Sequence, residues 1–161
     1  MGAGKTSIGR QLARALGKQF VDSDREIEHH TGTTIRLLFE LEGESGFRRR
    51  ERQVIDRLTQ RENIVLATGG GAVLSKENRT NLIHRGVVVY LHAPIARLMQ
   101  RTAGDKTRPL LQTSDPRGRL AQIVRQREPL YRQVADVIVS TEGKSLRYLV
   151  SHIVRLISVG N

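Results

Sequence analysis

Apolar positions repeat with two different periods along this chain, and the switches between them mark out its elements. Residues 7–16 carry Ile8, Leu12, Ala15 and Leu16 at helical spacing, and Gly17 supplies a stop. Gln19-Phe20-Val21-Asp22 predicts a short strand, and a helix is expected over 25–30. Another short helix is expected over 33–41, with Ile35, Leu38 and Phe39 apolar, broken by Glu42-Gly43-Glu44-Ser45-Gly46. A longer helix over 47–60 has Phe47, Val54, Ile55 and Leu58 as its stripe. Asn63-Ile64-Val65-Leu66-Ala67 reads as a buried strand, closed by Thr68 and three glycines. A helix over 76–84 ends at Arg85-Gly86, and Val87-Val88-Val89-Tyr90-Leu91 is the clearest strand. Its unbroken apolar character fits a sheet covered on both faces. Pro94 opens a helix to about residue 101, and 102–116 shows no periodicity. A helix over 117–127 is stopped by Pro129, with one further turn over 131–135. Val137-Ile138-Val139 is the last strand, and a helix over 145–157 follows.

Four strands alternating with helices predict an α/β fold, a parallel sheet wound with helices on both faces. The length of 161 residues fits one domain, 1–161.

Composition narrows the partners. There is no cysteine, which rules out disulfides, thiolate metal sites and thiol nucleophiles and suits a reducing cytoplasm. No apolar run is long enough to span a membrane. The net charge of +11 would suit nucleic acid, but the arginines are dispersed and only three Phe and three Tyr are available for stacking. Arginines lining a cleft for anionic small molecules explain the charge better.

The chemistry begins at Met1-Gly2-Ala3-Gly4-Lys5-Thr6-Ser7, the second half of a G-x-x-x-x-G-K-[ST] loop leading into a helix. In such loops backbone N–H groups cradle phosphates, the lysine reaches the outer phosphates, and the hydroxyl ligates Mg²⁺. Gly2, Ala3, Gly4, Lys5, Thr6 and Ser7 are therefore the candidate phosphate-binding residues. Asp22 and Asp24 share one side if the chain stays extended; Asp24 could instead cap the next helix. Glu51 falls within its helix's apolar stripe and Arg48 lies three before it, which fits either a polar pocket or a solvated pair. Gly69-Gly70-Gly71 after a buried strand implies close backbone approach, at the strand end where open parallel sheets bind ligands. Residues 102–116, with Lys106 and Arg108, fit either a basic lid or a disordered stretch.

Taken in order, these motifs resemble the bacterial shikimate kinase family over essentially the whole chain. They are Gly2-Ala3-Gly4-Lys5-Thr6, Val21-Asp22-Ser23-Asp24, Gly46-Phe47-Arg48 with Glu51, and Thr68-Gly69-Gly70-Gly71-Ala72-Val73. Thr107-Arg108-Pro109-Leu110-Leu111 and Arg127-Glu128-Pro129-Leu130-Tyr131 complete the set. The resemblance implies a three-layer α/β/α P-loop kinase with a substrate-binding helical insert, about 25–60 here, and a mobile lid, about 102–116. It implies phosphorylation of the 3-hydroxyl of shikimate by ATP with Mg²⁺, in a cytoplasmic monomer. Lys5 would hold the β- and γ-phosphates, with Arg108 and Arg101 near them; Thr6 and Asp22 would serve the metal. Asp24 would bind and orient the acceptor hydroxyl or take its proton. Arg48 and Arg127 would hold the shikimate carboxylate, Glu51 would fix Arg48, and Gly69, Gly70 and Gly71 would line the substrate, Gly70 through its amide. Competing readings are a gluconate kinase, whose carboxylate substrate the arginines would also suit, and a non-catalytic nucleotide- or nucleic-acid-binding module. Some relatives carry an arginine where this chain has Lys144, so no adenine contact is assigned.

Family members have a five-stranded sheet, with an apolar strand and Gly-x-x ahead of this loop. The expectation is that four strands remain here because the central first strand is missing. Losing a central strand removes ladder partners on both sides and opens the core, against a typical domain stability of ~5–15 kcal/mol. The 161-residue chain is thus expected to fold poorly and turn over little, and a version extended upstream to be active. Equal activity of the two purified forms would refute this.

Overall fold

A computed structural model describes residues 2–103 and 109–159. In chain order they form α1 (Lys5–Leu16), β1 (Gln19–Asp22), α2 (Ser23–Thr31), α3 (Ile35–Thr59), β2 (Ile64–Ala67), α4 (Lys76–Arg85) and β3 (Val89–His92). Then come α5 (Ile95–Thr102), α6 (Pro116–Val134), β4 (Val137–Ser140) and α7 (Leu146–Val159). Short 3₁₀ turns occupy Ala72–Leu74 and Pro109–Leu111.

All strand pairing is parallel, as expected of strands joined through helices. β1 runs beside β2 with Gln19 opposite Ile64 and Asp22 opposite Ala67. β3 runs beside β4 with Val89 opposite Val137 and His92 opposite Ser140. The two pairs are not hydrogen-bonded to each other. Between them runs a cleft of about 1110 Å³, walled by Val65 and Leu66 of β2, Val89 and Leu91 of β3, Ile8 and Leu12 of α1 and Ile153 of α7. The four expected strands are all present among the described residues, within two residues of their anticipated bounds. They form two ribbons, not one continuous layer.

Three apolar clusters hold the helices on these ribbons. Ile8 and Leu12 of α1 meet Leu149, Val150 and Ile153 of α7 over Val139 of β4. Val21 of β1 packs with Ile27 of α2 and with Leu38, Phe47, Val54 and Leu58 of α3. Ala3, Ala93 and Leu98 pack with Leu111 and with Leu120 and Ile123 of α6. Carboxyl and hydroxyl caps fix several helix starts: Asp22 for α2, Thr34 for α3, Ser75 for α4 and Asp115 for α6.

One expected break is present and one is absent. Within the expected interruption at 42–46, Gly43 takes non-helical angles, φ +68° and ψ −179°, so α3 is two helices meeting at a kink there. Arg50 and Glu42 bridge the kink with an Nε–Oε2 hydrogen bond of 2.9 Å. By contrast, α6 runs through Pro129 to Val134. Proline in a helix forfeits one backbone bond and crowds the carbonyl four residues earlier, at a cost of about 3 kcal/mol. Leu120, Ile123, Arg127 and Val134 stay buried on one side of α6 across that point, so packing outweighs the break. The stretch 102–116 is not uniformly irregular either: Thr102 ends α5, Pro109–Leu111 is a 3₁₀ turn and Pro116 starts α6.

Ile27 is the α2 residue that ties this helix to β1 and α3, and it is almost fully buried. Ile27→Ala is expected to lower unfolding free energy by about 2–5 kcal/mol, seen as a lower urea midpoint at unchanged slope.

Candidate functional site

The site is built where β1, β2 and the loop before α1 end on one side of the molecule. A second cleft, of about 750 Å³, lies there. Gly2, Gly4, Lys5, Thr6 and Ser7 border it at the start of α1. Gly4 caps that helix with φ +90° and offers no side-chain acceptor, so the first-turn N–H groups keep their capacity for an anion. Ala3 is the exception among the expected loop residues. Its side chain packs into the core with Ala93 and Leu98, which anchors the loop from below. From the last turn of α5, Arg101 donates Nη1–H to the Gly2 carbonyl at 2.9 Å. Arg101 thus stands against the loop before α1. Arg108 lies outside the described residues.

The Asp22/Asp24 pair departs from the extended reading. The chain turns into α2 directly at Ser23, and the capping residue is Asp22, not Asp24. Asp22 Oδ1 accepts from the Asp24 N–H at 3.0 Å. Asp24 sits in the first turn of α2, and both carboxylates still border the cleft. Burial chiefly, then the Asp22 charge, pushes the Asp24 carboxyl above the ordinary carboxylate range, while Lys5 and, less, Arg48 oppose the rise.

Arg48 and Glu51 form the pocket, not a solvated pair. Glu51 is 1% exposed and Arg48 15%, with Nη1 to Oε2 at 2.8 Å. Arg48 also reaches Glu44 at 3.2 Å and lies over the Phe47 ring at 5.1 Å. Burial pushes the Glu51 carboxyl upward, and the Arg48 charge works against it. On α6, Arg127 is nearly as buried and its charge is felt at Glu51.

The glycine loop passes between these groups. A Cβ on Gly69 would lie 2.8 Å from Asp24 Oδ1 and 3.1 Å from Glu51 Oε1, and one on Gly71 would strike the Arg48 guanidinium. The glycine backbone thus lies against these side chains, and a side chain at either position would displace their charged ends. Asp24 Oδ1, Glu51 Oε1, Arg48 Nε and Arg127 Nε are buried polar atoms without a hydrogen-bond partner among the described residues. Such atoms are costly to leave unpaired and mark a polar ligand site.

Two members of the site went unassigned in the sequence reading. Ser23, fully buried, accepts the Gly69 N–H on Oγ at 3.1 Å. Tyr131 donates its hydroxyl to the Gly70 carbonyl at 2.6 Å. The available signals were a small hydroxyl between two aspartates and a tyrosine four residues after Arg127 on one helix face.

For a metal, the described residues hold no cluster of three or more His, Cys, Asp or Glu. The Thr6 hydroxyl and the Asp22 carboxylate share the cleft. That hard-oxygen pair fits Mg²⁺, which takes one or two protein oxygens and completes its shell with phosphates and water.

The raised Asp24 pKa has a stability consequence. The folded chain holds this proton more tightly than the unfolded chain, so stability falls as pH rises from the ordinary range through the raised value. Asp24→Asn removes that penalty. Urea unfolding at pH 7 is expected to show the variant at least as stable as the parent, its advantage fading below about pH 4.

Comparison with known proteins agrees with this arrangement. A family model for shikimate kinase matches residues 1–158. The shikimate kinase of Nitrosococcus oceani is 56% identical over 155 residues, 96% of this chain and 82% of that protein. That of Methylococcus capsulatus is 55% identical, covering 96% and 86%. Among solved structures, shikimate kinase from Acinetobacter baumannii in complex with shikimate superposes with a TM-score of 0.97 at 50% identity, covering 100% of this chain and 90% of that one. The Bacteroides thetaiotaomicron enzyme gives 0.89 at 31%, covering 98% and 94%. With the phosphate loop, the aspartate pair, the buried arginines and the glycine loop converging on one cleft, the chain belongs to the shikimate kinase family.

Proposed function

We propose that this chain transfers the γ-phosphoryl group of ATP to the 3-hydroxyl of shikimate, giving shikimate 3-phosphate and ADP for aromatic amino-acid biosynthesis. The observation that carries the reading is one cleft shared by two chemistries. It is bordered by the α1 phosphate loop with Lys5 and Arg101 and by Arg48, Arg127, Asp24 and the glycine loop. An arginine fork matches a carboxylate in geometry, and two forks beside an acid suit a small polyhydroxylated acid.

Phosphoryl transfer needs an in-line acceptor and compensation for charge on the moving group. Lys5 and the α1 N-terminus meet the β- and γ-phosphates, and Arg108 adds charge from the lid segment. Magnesium, held through Thr6 and Asp22, would neutralise the phosphate oxygens when bound. Arg48, locked by Glu51, and Arg127 grip the carboxylate and set the ring's orientation. Asp24 binds the acceptor hydroxyl, orients it and takes its proton. Its raised pKa makes it a better base than an ordinary carboxylate. Gly70 presents its amide to the substrate. The insert at 25–60 carries the acceptor side and the lid at 102–116 closes the nucleotide side. The enzyme acts as a cytoplasmic monomer in this reading; no described helix is long and apolar enough to cross a membrane.

Lys5→Ala is expected to cut shikimate-dependent ADP release by two orders of magnitude or more (~3 kcal/mol of transition-state stabilisation). Arg48→Lys and Arg127→Lys keep the charge but lose the fork, and each should raise the KM for shikimate about tenfold or more. The acid limb of kcat/KM should lie above the ordinary carboxylate range and vanish in Asp24→Asn along with turnover. ADP release driven by gluconate but not by shikimate would refute the substrate assignment.

A further inference from the structure

Three glycines in a row have the least conformational order of any tripeptide. Yet this loop must hold a fixed shape over Asp24, Glu51 and Arg48. Its restraints are therefore informative. Ser23 takes the Gly69 N–H, and the Gly69 and Gly71 carbonyls accept from Ala72 and Leu74 in the 3₁₀ turn. The Gly70 carbonyl is held from elsewhere, by the Tyr131 hydroxyl at 2.6 Å across 61 residues of sequence.

Tyr131 is itself well fixed. Its ring stacks on Tyr90 of β3, centroids 5.0 Å apart and planes 28° from parallel. The Arg127 guanidinium acts on the same hydroxyl from one turn earlier on α6. A planar trans peptide points its N–H away from its carbonyl. Pinning the Gly70 carbonyl toward Tyr131 therefore fixes the Gly70–Gly71 peptide plane and aims the Gly71 N–H the opposite way. One hydroxyl thus joins the loop that would meet the acceptor to the helix that carries Arg127.

We infer that Tyr131 is a positioning residue for the acceptor substrate, setting the glycine loop and Arg127 in register with each other while touching neither the nucleotide nor the phosphate loop. The inference rests on the shikimate reading above and gives a role to the last residue of the Arg127-Glu128-Pro129-Leu130-Tyr131 motif.

The test is Tyr131→Phe, which keeps the ring and the stack and removes only the hydroxyl, with Tyr90→Phe as the control for losing a neighbouring hydroxyl. Steady-state kinetics are read with each substrate varied in turn. Thermal melts are recorded with and without shikimate, which gives a binding readout apart from turnover. Tyr131→Phe should raise the KM for shikimate about five- to tenfold, leave the KM for ATP within twofold, and shrink the shikimate-induced rise in Tm. Tyr90→Phe should match the parent on all three. The idea fails if Tyr131→Phe keeps the parent's shikimate KM and Tm rise, if both KM values rise together, or if the variant does not fold, which would make the role structural. A parent whose ADP release is driven by gluconate and not by shikimate overturns the functional reading itself, and this inference with it.

Discussion

A carboxylate cannot be buried alone. Glu51 is 1% exposed, and the Arg48 guanidinium 2.8 Å away makes that tolerable. Removing one partner of such a pair typically costs about 3–5 kcal/mol, because the other charge stays behind without compensation. The pair therefore constrains more than itself. Phe47 sits under Arg48, and a side chain at Gly71 would displace the Arg48 guanidinium. A side chain at Gly69 would likewise press on the Asp24 and Glu51 carboxylates. The polar heart of the cleft was arranged at the expense of local preference, and the three clusters of apolar side chains around it supply the stability that it does not.

The same logic accounts for the direction of the two carboxylates. Asp22 is committed to capping α2, which leaves it one oxygen for the cleft. Asp24 has a buried oxygen with no partner among the described residues and a pKa pushed upward. Two aspartates separated by one serine thus have different characters, one anchored and one poised. The serine between them is not a spacer, since its hydroxyl holds the glycine loop.

Much of the fold was legible because local periodicity and caps agree with the tertiary result. The strands fell where apolar runs met turn residues, and the phosphate loop was readable from Gly4-Lys5-Thr6 leading straight into helix α1. The one expected break that does not occur has a tertiary cause. Gly43 interrupts its helix, whereas α6 continues through Pro129 because residues on either side bury one continuous face. For α6 that face is Leu120, Ile123, Arg127 and Val134. Reading Pro129 as a stop put Tyr131 on a separate turn, so its place one turn beyond Arg127 carried no message.

What the sequence determined by itself was chemical inventory and order: a phosphate loop, two acids, two arginines with an acid partner, a bare glycine run, and strands alternating with helices. Those follow from residue type and spacing, which act over a few neighbours. Only the tertiary structure decided that Arg48 and Glu51 are buried together, that Asp22 and not Asp24 caps, that the strands form two ribbons flanking a cleft, and that Tyr131 grips Gly70. Each of these depends on desolvation or on a contact between residues far apart in the chain, and neither is a property of any short stretch of sequence.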